Sequence, residues 1–197
     1  MYNNAYADLV YKIKHTGEEI FIQARFDSYD ITGVEELYVP ERIWGTDYSQ
    51  QIKNLRINRG AFHSTNYFKP SKDSQLNLVN GNYSIEYSIK NVPYDNLVNT
   101  FGNRYYHFFN NDYFFLFGLG LFILPKNLLD QKNEKVSIII DSTVKHIIST
   151  ITPYNSNIIE TNIGSLDNII IVGNERLNQL QDKNLNINII VPHLKNK

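Results

Sequence analysis

The chain has 197 residues, a net charge of −1, 42% hydrophobic residues, 13% aromatic residues and no cysteine. This length suits one large domain, or one domain plus a fragment, and the aromatic content supports a large core. The near-zero net charge provides no long-range attraction to nucleic acid or anionic lipid, and the lack of cysteine excludes disulfide scaffolds and thiolate metal sites.

The N-terminal part of the chain predicts a hairpin. Met1–Leu9 is polar and lacks the charged and apolar regions of a signal peptide. Since a fragment of a longer precursor would lack them too, the compartment is left open, with the cytoplasm as the default. Asp8–Lys14 and Ile20–Phe26 both alternate between apolar and polar residues, and Thr16–Glu18 between them contains a turn glycine. Two alternating runs around a short glycine-containing loop indicate a β-hairpin with one solvated face.

The following segments are shorter and more varied. Leu37–Val39 predicts a short strand, and Glu41–Ser49, which contains Trp44, predicts a loop. Gln51–Asn58 fits a helical turn or a strand about equally, because short apolar runs are ambiguous. Asn82–Lys90 alternates most clearly of all and predicts a strand.

Asn103–Pro125 is the most aromatic and apolar stretch of the sequence. Its uninterrupted apolar part, Tyr113–Leu124, is shorter than the roughly 20 residues of a membrane-spanning helix, so no membrane span is expected. We predict two buried strands, Tyr105–Phe109 and Tyr113–Leu124, joined by a turn at 110–112, where Asn and Asp are favourable. The two glycines of the second strand indicate a bulge or the close approach of another backbone.

The remainder of the chain adds further short strands. They are predicted at Lys135–Asp141, His146–Thr152, Ile158–Ile159, Asn168–Val172 and Asn186–Val191. Only Asn174–Lys183 looks helical, and its apolar face is thin. Many short strands separated by turn residues predict an all-β fold, an antiparallel β-sandwich with little helix.

The sequence contains no recognisable catalytic or metal-binding pattern. None of its five histidines is followed by Glu, so the His-Glu-x-x-His zinc helix is absent, as are the nucleophile elbow and the phosphate loop. Trp44 fits a binding platform or, preferably, a loop anchor at the edge of the core. His107 lies within the aromatic stretch, where a packed or capped histidine is favoured over a ligand.

Three segments together resemble the N-terminal domain of the M61 (glycyl aminopeptidase) family of metallopeptidases, which is related to the N-terminal sandwich of aminopeptidase N-like enzymes. The first segment is Leu37–Arg56, which is similar to a strand, Pro, Trp, Gly, Tyr passage of that family. The matching residues are Pro40, Trp44, Gly45 and Tyr48. The Pro-Gly-Ser that precedes the Tyr in the family is not kept, nor is the Arg-Asp that follows it.

The other two segments resemble later parts of the same domain. Tyr83–Tyr87 followed by Tyr113–Pro125 is similar to the family's Tyr-rich strand and its Phe-Phe-x-Gly-x-x-Leu-Phe run. Leu166–Gly173 resembles the junction Leu-x-Asp-Ser-Pro-Ile-Glu-x-Gly that leads into the catalytic domain, with Asn-Ile in place of Ser-Pro and Ile or Val in place of the Glu. The similarity covers roughly residues 5–190.

The resemblance implies a non-catalytic domain that buttresses a zinc metallopeptidase domain and contributes to the substrate cleft. Residues 1–165 would form the sandwich, and residues 166–197 the junction toward the catalytic domain. Possible binding or interface residues are Trp44, Tyr48 and His107. The chain itself would hold no cofactor, with zinc expected only in the catalytic domain. Whether this chain is part of an enzyme is therefore left open.

The implied partners are the catalytic domain of the parent chain or a peptide substrate, and nucleic acid is not expected. The alternative is a free-standing binding or adhesion sandwich without a peptidase partner. A weaker alternative is a chaperone-like module that adds strands at an open sheet edge. Apolar residues within 166–197 predict that this segment folds back on the sandwich, or else pairs with a second copy in a homodimer.

Overall fold

The computed structural model describes residues 9–26, 33–38, 42–43, 46–48, 51–59, 75–78, 83–91, 107–152, 154–175, 177–181 and 188–192. The first eight strands are β1 (Leu9–His15), β2 (Ile20–Phe26), β3 (Gly33–Tyr38), β4 (Arg42–Ile43), β5 (Thr46–Asp47), β6 (Ile52–Arg59), β7 (Gln75–Leu78) and β8 (Tyr83–Ile89). The others are β9 (Phe108–Phe109), β10 (Tyr113–Phe117), β11 (Leu124–Pro125), β12 (Lys135–Ser142), β13 (His146–Ser149), β14 (Ile158–Asn162), β15 (Ile170–Asn174), β16 (Leu177–Gln181) and β17 (Asn188–Pro192).

The architecture confirms the predicted all-β sandwich. Helical structure in the described ranges is limited to short 3-10 segments at Gly118–Gly120, Lys126–Leu128 and Ile163–Asn168, and to Tyr48. None of these helices is long or apolar enough to cross a membrane. Two larger sheets share one hydrophobic core, and three smaller sheets accompany them.

The larger sheet has six strands in the order β14-β12-β1-β2-β8-β6. Its neighbours are antiparallel except for β1 and β12, which pair in parallel with Leu9 opposite Val136. The alternation predicted for β1 is observed, since Leu9, Tyr11 and Ile13 are buried while Lys12 and Lys14 are exposed. Successive side chains of a strand point to opposite faces, so one face of this sheet enters the core.

The smaller main sheet contains the aromatic stretch and has the order β13-β15-β10-β9. Strands β9 and β10 form the predicted hairpin. Its turn is fixed by Asn110, whose side-chain oxygen accepts hydrogen bonds from the backbone N–H groups of Asp112 and Tyr113. Phe109, Phe114 and other inward side chains of this sheet pack into the shared core.

Strand β10 is shorter than predicted, because the chain leaves the sheet at Gly118. A Cβ atom at Gly118 would lie 1.8 Å from the Leu166 carbonyl oxygen, so only glycine allows this approach of two backbones. The next residues, up to Leu124, run through the core without regular pairing. Two buried tyrosine hydroxyls donate hydrogen bonds to backbone carbonyls of this segment that have no strand partner. Tyr11 donates to the Ile123 carbonyl, and Tyr87 donates to the Leu121 carbonyl.

The C-terminal part of the chain differs from the expectation in one respect. The helix expected over Asn174–Lys183 is wrong, because Leu177–Gln181 is strand β16 and pairs with β17. The preceding strand β15 lies between β13 and β10 in the sandwich, and Ile171 on it is fully buried. This part of the segment 166–197 therefore folds back on the sandwich, which was the favoured expectation.

Candidate functional site

Of the three predicted binding or interface residues, two lie together inside the protein. The rings of Tyr48 and His107 have centroids 5.7 Å apart and planes tilted by 41°. Both side chains have no exposed surface. Trp44 lies outside the described residues. Tyr48 and His107 thus form a packed internal pair, and a ligand could reach them only after the surrounding structure opens.

Close packing against Gly120 fixes the position of Tyr48. A Cβ atom at Gly120 would lie 1.9 Å from Cδ1 of the Tyr48 ring. The glycine therefore leaves the space that the aromatic ring fills. This contact connects the loop before β6 with the irregular segment after β10.

Gln51 attaches the backbone of His107 to the end of the six-stranded sheet. Its side-chain nitrogen donates to the carbonyls of Lys90 and His107, each at 3.1 Å, and its side-chain oxygen accepts from the His107 N–H at 3.2 Å. Asn91 contacts Phe109 in the same way, with its amide nitrogen 2.7 Å from the Phe109 carbonyl. Two side-chain amides thus make the hydrogen bonds to the N–H and C=O groups of His107 and Phe109 that a neighbouring strand would otherwise make.

The two nitrogens of the His107 ring have different surroundings. Nδ1 accepts a hydrogen bond from the Phe117 N–H at 3.2 Å, so the proton of the neutral ring is on Nε2. Nε2 is buried and makes no hydrogen bond of ordinary geometry with the described residues. Burial lowers the pKa of His107 to about 4, while the Gly120 carbonyl acts in the opposite direction. His107 is therefore neutral at physiological pH.

A second buried histidine, His15, lies at the other end of the hairpin and was not singled out by the sequence. Its Nε2 lies 2.9 Å from the Asn110 carbonyl, which can only accept, so Nε2 is the donor. Its Nδ1 lies 2.9 Å from the Ser142 hydroxyl. Burial lowers the pKa of His15, and the Asn110 carbonyl opposes this shift. The ring edge also packs on Phe114, at a centroid distance of 5.0 Å.

Hydrolases with a nucleophilic serine use a Ser–His pair, and His15 and Ser142 are the residue types of such a pair. The second nitrogen of His15 contacts a backbone carbonyl, where an orienting carboxylate would be needed. The Ser142 hydroxyl also accepts a hydrogen bond from the Val144 N–H, at 3.2 Å. His15 is only 3% exposed. These contacts join three loops and do not present a nucleophile to a substrate.

The described residues contain no group of three or more His, Asp or Glu side chains that could hold a metal ion. A polar pair on the outer face of the six-stranded sheet joins β12 and β14, where the hydroxyl of the buried Ser137 lies 2.9 Å from both carboxylate oxygens of the exposed Glu160. Lys145 and Glu175 form an exposed ion pair. Exposed pairs of this kind contribute little to stability.

Two surfaces are apolar. Within the described ranges, the large hydrophobic side chains that are well exposed lie close together in sequence: Ile151 and Tyr154 in the connection between β13 and β14, and Ile158 at the start of β14. The second surface is the outward face of the β9–β10 hairpin, where half-buried aromatic rings follow one another. Phe108 stacks on Phe115 at 5.1 Å, and Phe115 contacts Phe117 at 4.8 Å.

Comparison with known proteins adds a likeness in fold. No protein-family model matches the chain. No curated protein matches it significantly in sequence. Among solved structures, it is similar to an aminopeptidase N family protein from Idiomarina loihiensis, with a TM-score of 0.62 and 13% sequence identity. The match covers 88% of this chain and 30% of that chain. The likeness shows a shared fold, and the chain spans less than a third of the similar protein.

Proposed function

We propose that this chain is a non-catalytic accessory domain of an M61-like zinc metallopeptidase. It would buttress the catalytic domain and form part of the substrate cleft. In this proposal the zinc ion belongs to the catalytic domain, and the partner of this chain is that domain or a peptide substrate. Strand β15 belongs to the sandwich, so the part of the segment 166–197 that follows β15 would lead toward the catalytic domain.

The observation that carries the proposal is the match in fold to an aminopeptidase N family protein over 88% of this chain and only 30% of that chain. A domain of a larger peptidase would match such a protein over most of its own length and over a small part of the longer chain. The core of the described residues is mostly aliphatic and contains a smaller number of buried aromatic rings. Hydrogen bonds from the Tyr11 and Tyr87 hydroxyls hold the irregular segment after β10 in place, which suits a supporting role.

The geometry suggests a positioning role for two of the three candidate residues. Tyr48 and His107 are fully buried, so in the proposed domain they position the loop before β6 from inside. Trp44 is four residues before Tyr48 in the sequence. Trp44 lies outside the described residues, and its contact with the catalytic domain or the substrate is part of the proposal.

The proposal can be tested on the native protein. An antibody raised against this chain is used to detect the protein in extracts of its source, and the immunoprecipitate is assayed with aminoacyl fluorogenic substrates. We expect a polypeptide much larger than the 23.0 kDa of this chain, with aminopeptidase activity that a zinc chelator removes. A precipitate made with the pre-immune serum is the control.

Two results would contradict the proposal. One is a native polypeptide of about the size of this chain that precipitates without peptidase activity, which would favour the free-standing binding module. The other is peptidase activity of the isolated recombinant chain, which would show that it contains a catalytic centre. Size-exclusion chromatography of the isolated chain shows separately whether two copies of it form a homodimer.

A further inference from the structure

Residues 107–110, the edge segment, form the outer edge of the four-stranded sheet. Polar contacts from outside that sheet hold this segment at both ends. At one end, Gln51 pairs with the backbone N–H and C=O of His107. At the other end, His15 donates to the Asn110 carbonyl. The segment itself contributes only the two residues of β9 to the sheet. It is therefore fixed mainly by side chains, and not by a long ladder of backbone hydrogen bonds.

From this arrangement we infer that the edge segment is an acid-sensitive latch, which is closed while the His107 ring is neutral and opens when this ring takes up a proton. The decisive contact is between the Phe117 N–H and Nδ1 of His107. Nδ1 is an acceptor only in the neutral ring, so protonation places two donors against each other. The proton also brings a charge into a site without solvent exposure, which is costly unless the charge is paired.

The groups around both histidines leave that charge uncompensated. The Tyr48 phenol is the titratable group against the His107 ring. No carboxylate or ammonium among the described residues contributes to the pKa shift of His107, which comes from burial and, in the opposite sense, from the Gly120 carbonyl. The neighbours of His15 are Ser142, Asn110 and two phenylalanine rings, and its pKa shift likewise has no charged contributor in the described part of the chain.

Opening of the latch would expose the outer edge of β10, because β9 is the strand that covers it. It would also expose the buried face of Phe109, which is 2% exposed in the closed state. Strand β10 would remain in place through its pairing with β15, from Tyr113 opposite Asn174 to Phe117 opposite Ile170. The latch is a property of the isolated chain and does not depend on a peptidase domain.

Native-state hydrogen exchange, followed by two-dimensional NMR, tests the latch. With a pKa of about 6.5 for His107 in the open segment and about 4 in the closed segment, the opening constant should be about 20-fold larger at pH 5 than at pH 7. We expect this change, after correction for intrinsic exchange rates, at the amides of His107, Phe109 and Phe117. Amides of β1 and β2 at the centre of the larger sheet should change much less.

The matched variants are His107→Asn and His146→Asn. Asparagine keeps an acceptor near the position of Nδ1 but does not titrate, so His107→Asn should lose most of the pH dependence. His146 is a half-buried histidine on β13, in the same sheet, and its replacement should leave the 20-fold change intact. A His107→Asn variant that keeps the full pH dependence would overturn the latch.

Two further outcomes are informative even if His107→Asn does not fold. An equal change of protection in β1, β2 and the edge segment would mean global unfolding, and would overturn a local latch. An NMR titration of the His107 imidazole in the wild-type protein gives an independent check. A ring that stays neutral down to about pH 4 in the closed state supports the latch. A midpoint near 6.5 in the folded protein would overturn it.

Discussion

The contact of Gly120 with Tyr48 allows a sharp test of how the core is packed, through the substitution Gly120→Ala. Gly120 has no left-handed backbone conformation, so alanine fits the backbone and any cost is steric. The new Cβ would lie 1.9 Å from Cδ1 of Tyr48 and 2.3 Å from Cε1 and Cγ. Carbon atoms in contact are about 3.5–4.0 Å apart, so the ring must move by roughly 1.5–2 Å.

The cost of that movement follows from the surroundings of the ring. Tyr48 has no exposed surface and packs against His107, so it has no free space to enter. Overpacking of a core costs about 1–3 kcal/mol, and we expect a value near the upper end, about 3 kcal/mol. For a chain of 150–250 residues, each kcal/mol lowers the Tm by about 2–4 °C, which gives a decrease of roughly 6–12 °C.

Differential scanning fluorimetry and urea denaturation measure the effect. Gly164→Ala is the matched control, because its new Cβ would lie 3.1 Å from the Cβ of Lys132 and 3.2 Å from the Lys132 carbonyl oxygen, contacts that a shift of a few tenths of an ångström relieves. Its Tm should change by no more than about 1–2 °C. Tyr48→Ala removes the clash, so the double variant with Gly120→Ala should lose less stability than the sum of the single variants. Equal Tm values for Gly120→Ala and Gly164→Ala would refute this account of the packing.

Three further predictions concern the core and its C-terminal strands. Gln51→Leu leaves two buried backbone groups of the edge segment unpaired, and urea denaturation should show a loss of about 2–4 kcal/mol, whereas a loss below about 0.5 kcal/mol would contradict the role of this amide. Tyr87→Phe removes the hydroxyl that bonds to the irregular core segment and should cost about 1–3 kcal/mol, while Tyr154→Phe, at an exposed position, should leave the unfolding midpoint unchanged. Deletion of residues 166–197 removes β15 and should abolish cooperative unfolding in circular dichroism, whereas deletion of residues 177–197 should preserve it; the opposite order would contradict the placement of β15.

The features that sequence predicted well are local ones. Strands β1, β2 and β8 alternate because one face meets solvent, so their period of two is visible in the residues themselves. The turn at Asn110 was predicted because asparagine bonds to its own main chain, and the structure contains those bonds. The close backbone approach expected at one of the central glycines is found at Gly118.

The missed features depend on residues far apart in the sequence. The end of β10 is set by Leu166, whose carbonyl approaches Gly118, and no local pattern contains that information. His15 reaches Ser142 across 127 positions, so its role could not be read from either segment. The segment that forms β16 fits a helical pattern, but the apolar face of that helix would be too thin to fix its conformation. Its partner β17, several residues further along the chain, decides its conformation.

The parallel pairing of β1 with β12 has a consequence for the time course of folding. The hairpin of β1 and β2 can close once residue 26 has left the ribosomal exit tunnel, but the other edge of β1 must wait for the strand that contains Val136. Pairing across such a sequence distance slows folding, because the chain loses entropy before the contact forms. During synthesis, Leu9, Tyr11 and Ile13 therefore lie on a nascent hairpin with one unpaired edge. We expect the yield of folded protein to depend on temperature and on chaperones that shield this edge until the ribosome has released β12.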